Sequence, residues 1–233
     1  MKLVILFICC LSFFNVFEQS VDVPDIPLIA TNVNGFIPEG WDMLMEGKGD
    51  LNEDGSKDLV FVIQKIGTEL DAVYYHELPR ILVIAFQQPP SRNYEVQLIK
   101  EDFILLASDG GVYGDPFEDI WVDYNGILNI DYFGIYNNKW SENFQFKLDE
   151  NVFKLIKVVK TQYDHIDGHE EVWKYDLLEM VATQTYSNSI DSLQNDYTKK
   201  FKILPRIESK YLNDLPQPNK WNFLEHEAYK RIE

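Results

Sequence analysis

The chain has 233 residues, with 38 Asp and Glu against 21 Lys and Arg, and a formal net charge of −17 at pH 7. That length holds one ordinary domain with extensions, or two small ones, and suffices for a substantial core. An acid excess of this size repels phosphates, so sequence-independent contact with nucleic acid, which relies on Lys and Arg to displace counterions, is excluded as a function class.

At the N-terminus Lys2 precedes the apolar run LVILFICCLSFFNVF. A charged start followed by a hydrophobic stretch too short to span a bilayer comfortably has the form of a secretory signal. Residues 1–20 are therefore expected to be a signal peptide, and the product to be secreted or periplasmic. Both cysteines, Cys9 and Cys10, fall inside this run, so its removal leaves no thiol and no disulfide. A lipid anchor on Cys10 is the competing reading, disfavoured because Cys9 precedes it in place of a small residue and the apolar run continues beyond it. No later stretch reaches the ~18 uncharged apolar residues of a transmembrane helix.

The mature chain reads as a mainly β fold: a single antiparallel, meander or sandwich-like domain over 21–204, with a tail over 205–233 that packs on it or ends in a short helix. VDVPDIPLIA, with two prolines and no helical period, suits a leader or first edge strand. GFIPEG reads as a turn, and WDMLMEGKGD leads into an acidic loop from which LVFVIQ leaves as a strand rich in β-branched and aromatic residues. RILVIAFQ is a second apolar strand, connected through PPSRN to YEVQLIK.

From Glu118 the alternation is clearer. EDIWVDY and ILNIDYF flank Asn125-Gly126, which predicts a hairpin with a type I′ turn. KWSENFQFKL turns at DEN into VFKLIKVVKTQY, and DHIDGH turns into EEVWKYDLLEMVATQTY, read as one long strand. Consecutive runs joined by short polar turns predict an antiparallel meander. TKKFKILPRI suits a late strand, and NKWNFLEHEAYKRI, with an N-cap at Asn219, suits a short terminal helix. No fixed-period repeat supports a propeller or solenoid.

The stretch GDLNEDGSKD carries the chemistry. Calcium takes six to eight oxygens, and loops supply them from positions 1, 3 and 5, a backbone carbonyl at 7 and a further ligand at 9, with Gly at 6 for the sharp turn. Asp50, Asn52, Asp54, Gly55, Ser56 and Asp58 occupy those positions in order. Position 12 is Phe61 within a strand-like run, which excludes an ordinary EF-hand. The plainer alternative is a hairpin turn whose Asp and Asn side chains bond their own backbone.

Gly49, Asp50, Asn52, Asp54, Gly55, Asp58, Leu59 and Val60 together resemble the calcium loop of FG-GAP/VCBS-type repeats, known from integrin propellers and from secreted bacterial proteins. Their pattern runs Gly-Asp-x-Asn/Asp-x-Asp-Gly-x-x-Asp and then an apolar strand. The resemblance implies Ca²⁺ as cofactor, held by Asp50, Asn52, Asp54, the Ser56 carbonyl and Asp58. A second segment, DGGVYGDPFEDIWVDYNGILNIDYFG, is similar to one in secreted bacterial proteins that also carry an N-terminal GDLNxDGxxD loop. That resemblance implies a single domain and no particular reaction.

Other side chains suggest chemistry less specifically. Asp109, Asp115, Glu118 and Asp119 lie among glycines, and paired carboxylates serve glycoside hydrolysis; the alternative is a glycine-permitted loop with its acids in water. His165 and His169 are spaced as zinc ligands are on a helix, but they fall in a turn. No Gly-x-Ser-x-Gly, His-Glu-x-x-His or phosphate-binding glycine loop is present, so no catalytic residue is assigned. The meander is rich in aromatics, among them Tyr132, Tyr136, Phe144 and Trp173, and Trp121, Tyr124 and Trp140 are candidates for an exposed ligand face. The expectation is a calcium-stabilised, non-enzymatic protein that binds a protein or glycan partner. The alternatives are a polysaccharide or peptide hydrolase using the acids over 109–119, and an envelope structural module.

Overall fold

A computed structural model describes residues 24–67, 77–189, 196–203, 210–221 and 229–231. Its strands form two antiparallel sheets. The first contains β1 (Ile29–Ala30), β2 (Trp41–Gly49), β3 (Asp58–Lys65), β4 (Arg80–Gln87) and β5 (Tyr94–Lys100), in the order β1-β5-β4-β3-β2. The second is a meander in chain order: β6 (Phe117–Val122), β7 (Leu128–Ile135), β8 (Lys139–Asp149), β9 (Val152–Tyr163), β10 (His169–Asp176), β11 (Val181–Asn188), β12 (Tyr197–Ile203) and β13 (Tyr229–Arg231). The protein is a mainly β, sandwich-like domain, as its alternating runs and short polar turns predict. Among the described residues no helix is long and apolar enough to cross a membrane.

The apolar runs of β3 and β4 do not alternate with polar residues because both of their faces are covered. Val60, Val62, Leu82 and Ile84 point into the core shared with Ile120, Ile130, Phe144 and Phe146 of the second sheet. Leu59, Phe61, Ile63, Ile81 and Val83 point the other way, into a cluster closed by Ile26, Phe36 and Trp41 from the N-terminal segment. At about 25 cal/mol per Å² of apolar surface removed from water, each such side chain contributes roughly 1.5–3 kcal/mol. Among the described strands, β3 and β4 are buried along nearly their whole length.

Residues 41–49, expected only as a lead into the acidic loop, form the edge strand β2. Its glycines are the reason it can lie where it does. A Cβ on Gly47 would stand 2.6 Å from the Ile120 carbonyl oxygen, and one on Gly49 would stand 2.5 Å from the Val122 Cβ. The absence of both lets β2 of the first sheet come against β6 of the second.

Three local expectations are corrected. In the β6–β7 turn only Gly126 has positive φ (71°), and the Asp123 N–H donates to the Ile127 carbonyl. This is a longer turn ending on a left-handed glycine, in place of a two-residue type I′ turn. The type I′ signature occurs instead at Glu150 (φ 47°) and Asn151 (φ 71°), between the paired residues Asp149 and Val152. EEVWKYDLLEMVATQTY is two strands, β10 and β11, because Asp176 accepts the N–H groups of Leu178 and Glu179 and turns the chain. At the C-terminus Pro218–Lys220 is a 3-10 turn and Tyr229–Arg231 pairs with β12, so the terminal helix does not run to the end as expected. The rest of that helical reading, like the signal segment, lies outside the described residues.

Candidate metal loop and adjoining cleft

The acidic loop joins β2 to β3. Asp50 accepts the N–H groups of Asp54 (3.0 Å) and Gly55 (2.9 Å) with its two oxygens, and Asn52 Oδ1 also accepts from Asp54 (3.1 Å). Asp54 Oδ1 takes the Ser56 N–H at 2.7 Å, and its other oxygen takes the Asn52 amide at 3.1 Å. The Ser56 N–H holds the Asp54 carboxyl below its ordinary value, with the Asn52 amide adding to the effect. Gly55 has φ 87° with open space where a Cβ would stand, so backbone conformation selects glycine here.

Asp58 lies beneath this loop and is fully buried. Its oxygens accept the Leu51 N–H at 2.9 Å and the Gln87 N–H at 3.0 Å, which ties the loop entry to the end of β4. Burial pushes its carboxyl up to about 6, against the pull of those two N–H groups and with the Asp54 charge adding to the rise. On the other side, a Cβ at Gly126 would stand 2.6 Å from the Asp50 carbonyl oxygen, so the acidic loop and the β6–β7 turn are in contact.

The donor chemistry fits a hard cation. Asp50, Asn52, Asp54 and Asp58 carry the oxygen donors such an ion takes, and the bonds just described leave a second lone pair on each carboxylate oxygen, but the three carboxylates do not gather their oxygens within 4.8 Å of one another. The same bonds also make the loop a satisfied turn by itself, the plainer of the two expectations. Elsewhere, Asp164, Asp167 and His169 bring ligand atoms within 4.8 Å of one another. Turn geometry accounts for that group: the Asp164 N–H donates to the His169 carbonyl, Asp164 Oδ1 accepts from Ile166 and Asp167, and His165 is not part of it.

The acids over 109–119 are engaged one by one. Asp115 forms a two-point ion pair with Arg80, whose side chain is 1% exposed and which also donates to the Leu105 carbonyl (2.6 Å) and to Gln64 (2.9 Å). Asp109 accepts the Leu106 N–H and the Asn219 amide, Asp119 accepts the Ile120 N–H, and Glu118 is exposed beside Tyr113. Sequence reading passed over Arg80, although one arginine opening an otherwise apolar strand was a visible signal for a buried counter-ion.

The candidate aromatic face is divided by the register. Trp121 pairs with Asn129 and donates its indole N–H to Asp131 at 2.9 Å, on the outer side of the second sheet. Tyr124 is 95% exposed at the tip of the β6–β7 turn. Trp140 pairs with Gly134 on the opposite, core-facing side, where a Cβ at Gly134 would stand 2.4 Å from its ring.

Trp140 there lines a cleft of about 450 Å³. Its floor is the core-facing side of β8–β10, with Glu142, Lys160, Gln162, Glu171 and Trp173, and its rim carries Asp109, Tyr136 and Asn219. Lys160 pairs with Glu142 at 2.9 Å, and Glu171 Oε1 accepts the Trp173 indole N–H and the Gln184 amide (2.7 Å). The Tyr136 hydroxyl donates to the Asp109 carbonyl at 2.7 Å, fastening the rim to the end of β7. Among the described residues the buried Trp140 indole N–H has no hydrogen-bond partner. Comparison of the chain with protein-family models, curated proteins and solved structures finds no match.

Proposed function

We propose that this is a secreted or periplasmic, calcium-stabilised β-protein that binds a protein or glycan partner without catalysing a reaction. The observation that carries the calcium part is the placement of the acidic loop. It touches the β6–β7 turn through Asp50, and Asp58 braces it to Gln87 at the end of β4. A cation among Asp50, Asn52, Asp54, the Ser56 carbonyl and Asp58 would neutralise repelling carboxylates at the junction of the two sheets, and so stabilise the sandwich as well as the loop. Likeness to the FG-GAP/VCBS loop supports Ca²⁺ as that cation, and the signal-like N-terminus supports export into a calcium-containing compartment. The dispersal of the acids over 109–119 onto separate structural bonds supports binding over hydrolysis at that segment.

Thermal melts in EGTA and in ~10 mM Ca²⁺ test the reading. Sites of this kind bind with Kd on the order of 10⁻⁴ to 10⁻³ M, which gives roughly 1.4–2.7 kcal/mol of added stability and about 3–10 °C in Tm. Asp54→Ala abolishes the shift. Glu53→Ala, at a position between ligands whose carboxylate pairs with Lys147, preserves it. Equal Tm values with and without calcium for the wild type refute the calcium part.

A further inference from the structure

We propose that the cleft between Trp140 and Trp173 is a binding site for a neutral saccharide, a short oligosaccharide or a chain end. The inference rests on the binding-protein reading above and replaces its candidate face, since Trp121 and Tyr124 lie outside this cleft. Four observations carry it. The first is size, because about 450 Å³ lies within the range of small-ligand sites.

The second is the pairing of aromatic side chains, Trp140 and Trp173, with polar groups on one sheet face. Indole rings offer large, rigid apolar surface to the C–H faces of a sugar, and Glu142, Lys160, Gln162 and Glu171 supply both acceptors and donors to hydroxyls. These polar side chains do not form an unorganised solvated face. Lys160 is set by Glu142, and Glu171 is set by Trp173 and Gln184, so the groups that would read a ligand are already oriented.

The third is charge. Among the lining residues three carboxylates (Asp109, Glu142, Glu171) stand against one ammonium (Lys160), which leaves 1 − 3 = −2 in the cleft. Phosphates, sulfates and uronic acids are repelled by that balance. A small cation would meet the Lys160 ammonium on the floor, whereas a neutral polyol can bond to both members of the Lys160–Glu142 pair. The fourth is Trp140 itself. Among the described residues its indole N–H finds no acceptor, so hydrogen bonding within them does not explain an indole there, and Phe would place a ring there without a buried unsatisfied donor. Gly134 opposite it leaves room for the full ring.

The test is calorimetric titration of the full secreted protein, in calcium, with maltotetraose, cellotetraose, xylotetraose and tetra-N-acetylchitotetraose. Tetragalacturonate and spermidine serve as the anionic and cationic probes. At least one neutral tetrasaccharide is expected to bind and to change tryptophan fluorescence. Trp140→Ala and Trp173→Ala should each weaken it about tenfold or more, with Trp140→Phe intermediate should the alanine variants fold poorly. Trp121→Ala and Tyr124→Ala should leave it unchanged. Binding of tetragalacturonate or spermidine alone overturns the saccharide assignment while leaving a binding protein. Loss of saccharide binding in the Trp121 or Tyr124 variants and not in those of the cleft overturns the location alone. Silence of every probe overturns the inference outright, and the calcium melts then test the proposed function separately.

Discussion

Replacing Asp115 by Asn tests whether the glycine-rich segment is held by a buried ion pair. The guanidinium of Arg80 is 1% exposed and the Asp115 side chain 38% exposed. Asn keeps the shape of Asp115 but removes its charge and one of the two oxygens that face Arg80, leaving the cation with the Leu105 carbonyl, Gln64 and a single amide oxygen. Removing one partner of a buried pair costs about 3–5 kcal/mol. Because Asp115 is partly solvated, the low end applies, about 3 kcal/mol, or roughly 6–12 °C in Tm for a chain of this size. Arg80→Met should cost less, about 1–3 kcal/mol, since Asp115 can turn to water and only the donors to Leu105 and Gln64 are lost. The double variant should fall short of the sum of the singles by at least ~1 kcal/mol, because the second substitution removes a charge already abandoned by its partner. Urea unfolding of the four proteins at about 0.1 M and about 1 M NaCl is the assay, and most of the coupling should survive the added salt because its cation, Arg80, is buried. An Asp115→Asn variant within about 0.5 kcal/mol of wild type, or a coupling that vanishes in high salt, would refute the buried-pair account.

Gly126→Ala should cost about 1–3 kcal/mol, combining a left-handed backbone with a Cβ 2.6 Å from the Asp50 carbonyl. Gly40→Ala, at φ 80° with nothing within 4 Å, should cost only the conformational part; equal urea midpoints for the two would mean that the turn does not press on the acidic loop. Asp58 predicts a pH dependence of definite sign. Its folded value of about 6 lies above the ordinary 3.8, so between those values the unfolded chain has released a proton that the folded chain still holds. Stability should therefore fall as pH rises through that window in EGTA, by roughly 3 kcal/mol once fully ionised. Asp58→Asn should lose that component of the slope, and identical pH profiles for the two proteins would count against it.

The local part of this protein is legible in its sequence because the signals act over a few residues. Alternation in β6 to β9, apolar runs in β3 and β4, and turn-forming residues such as Asn151 and Gly126 announce strands and reversals wherever they stand. The acidic loop is nearly as local: residues 50–58 bond chiefly to one another, and the Gln87 N–H on Asp58 and the Lys147 ammonium on Glu53 reach it from outside. β2 escaped notice because Gly47 and Gly49 read as loop residues until β6 is brought against them.

What the tertiary structure alone decided depends on register and on which sheet covers which face. A one-residue change in pairing carries a side chain from one side of a sheet to the other, and so composition could not separate Trp140, which lines the cleft, from Trp121, on the outer surface. The Arg80–Asp115 pair joins residues 35 apart in the chain. Glu142, Lys160 and Glu171 look like ordinary surface charges of three amphipathic strands. Only the pairing of Glu142 with Lys160 and of Gln162 with Glu171, beside Leu105, Asp109 and Asn219, brings them together in one cleft. Strand formation needs only neighbours along the chain, whereas a site needs neighbours across it, and those are set by packing.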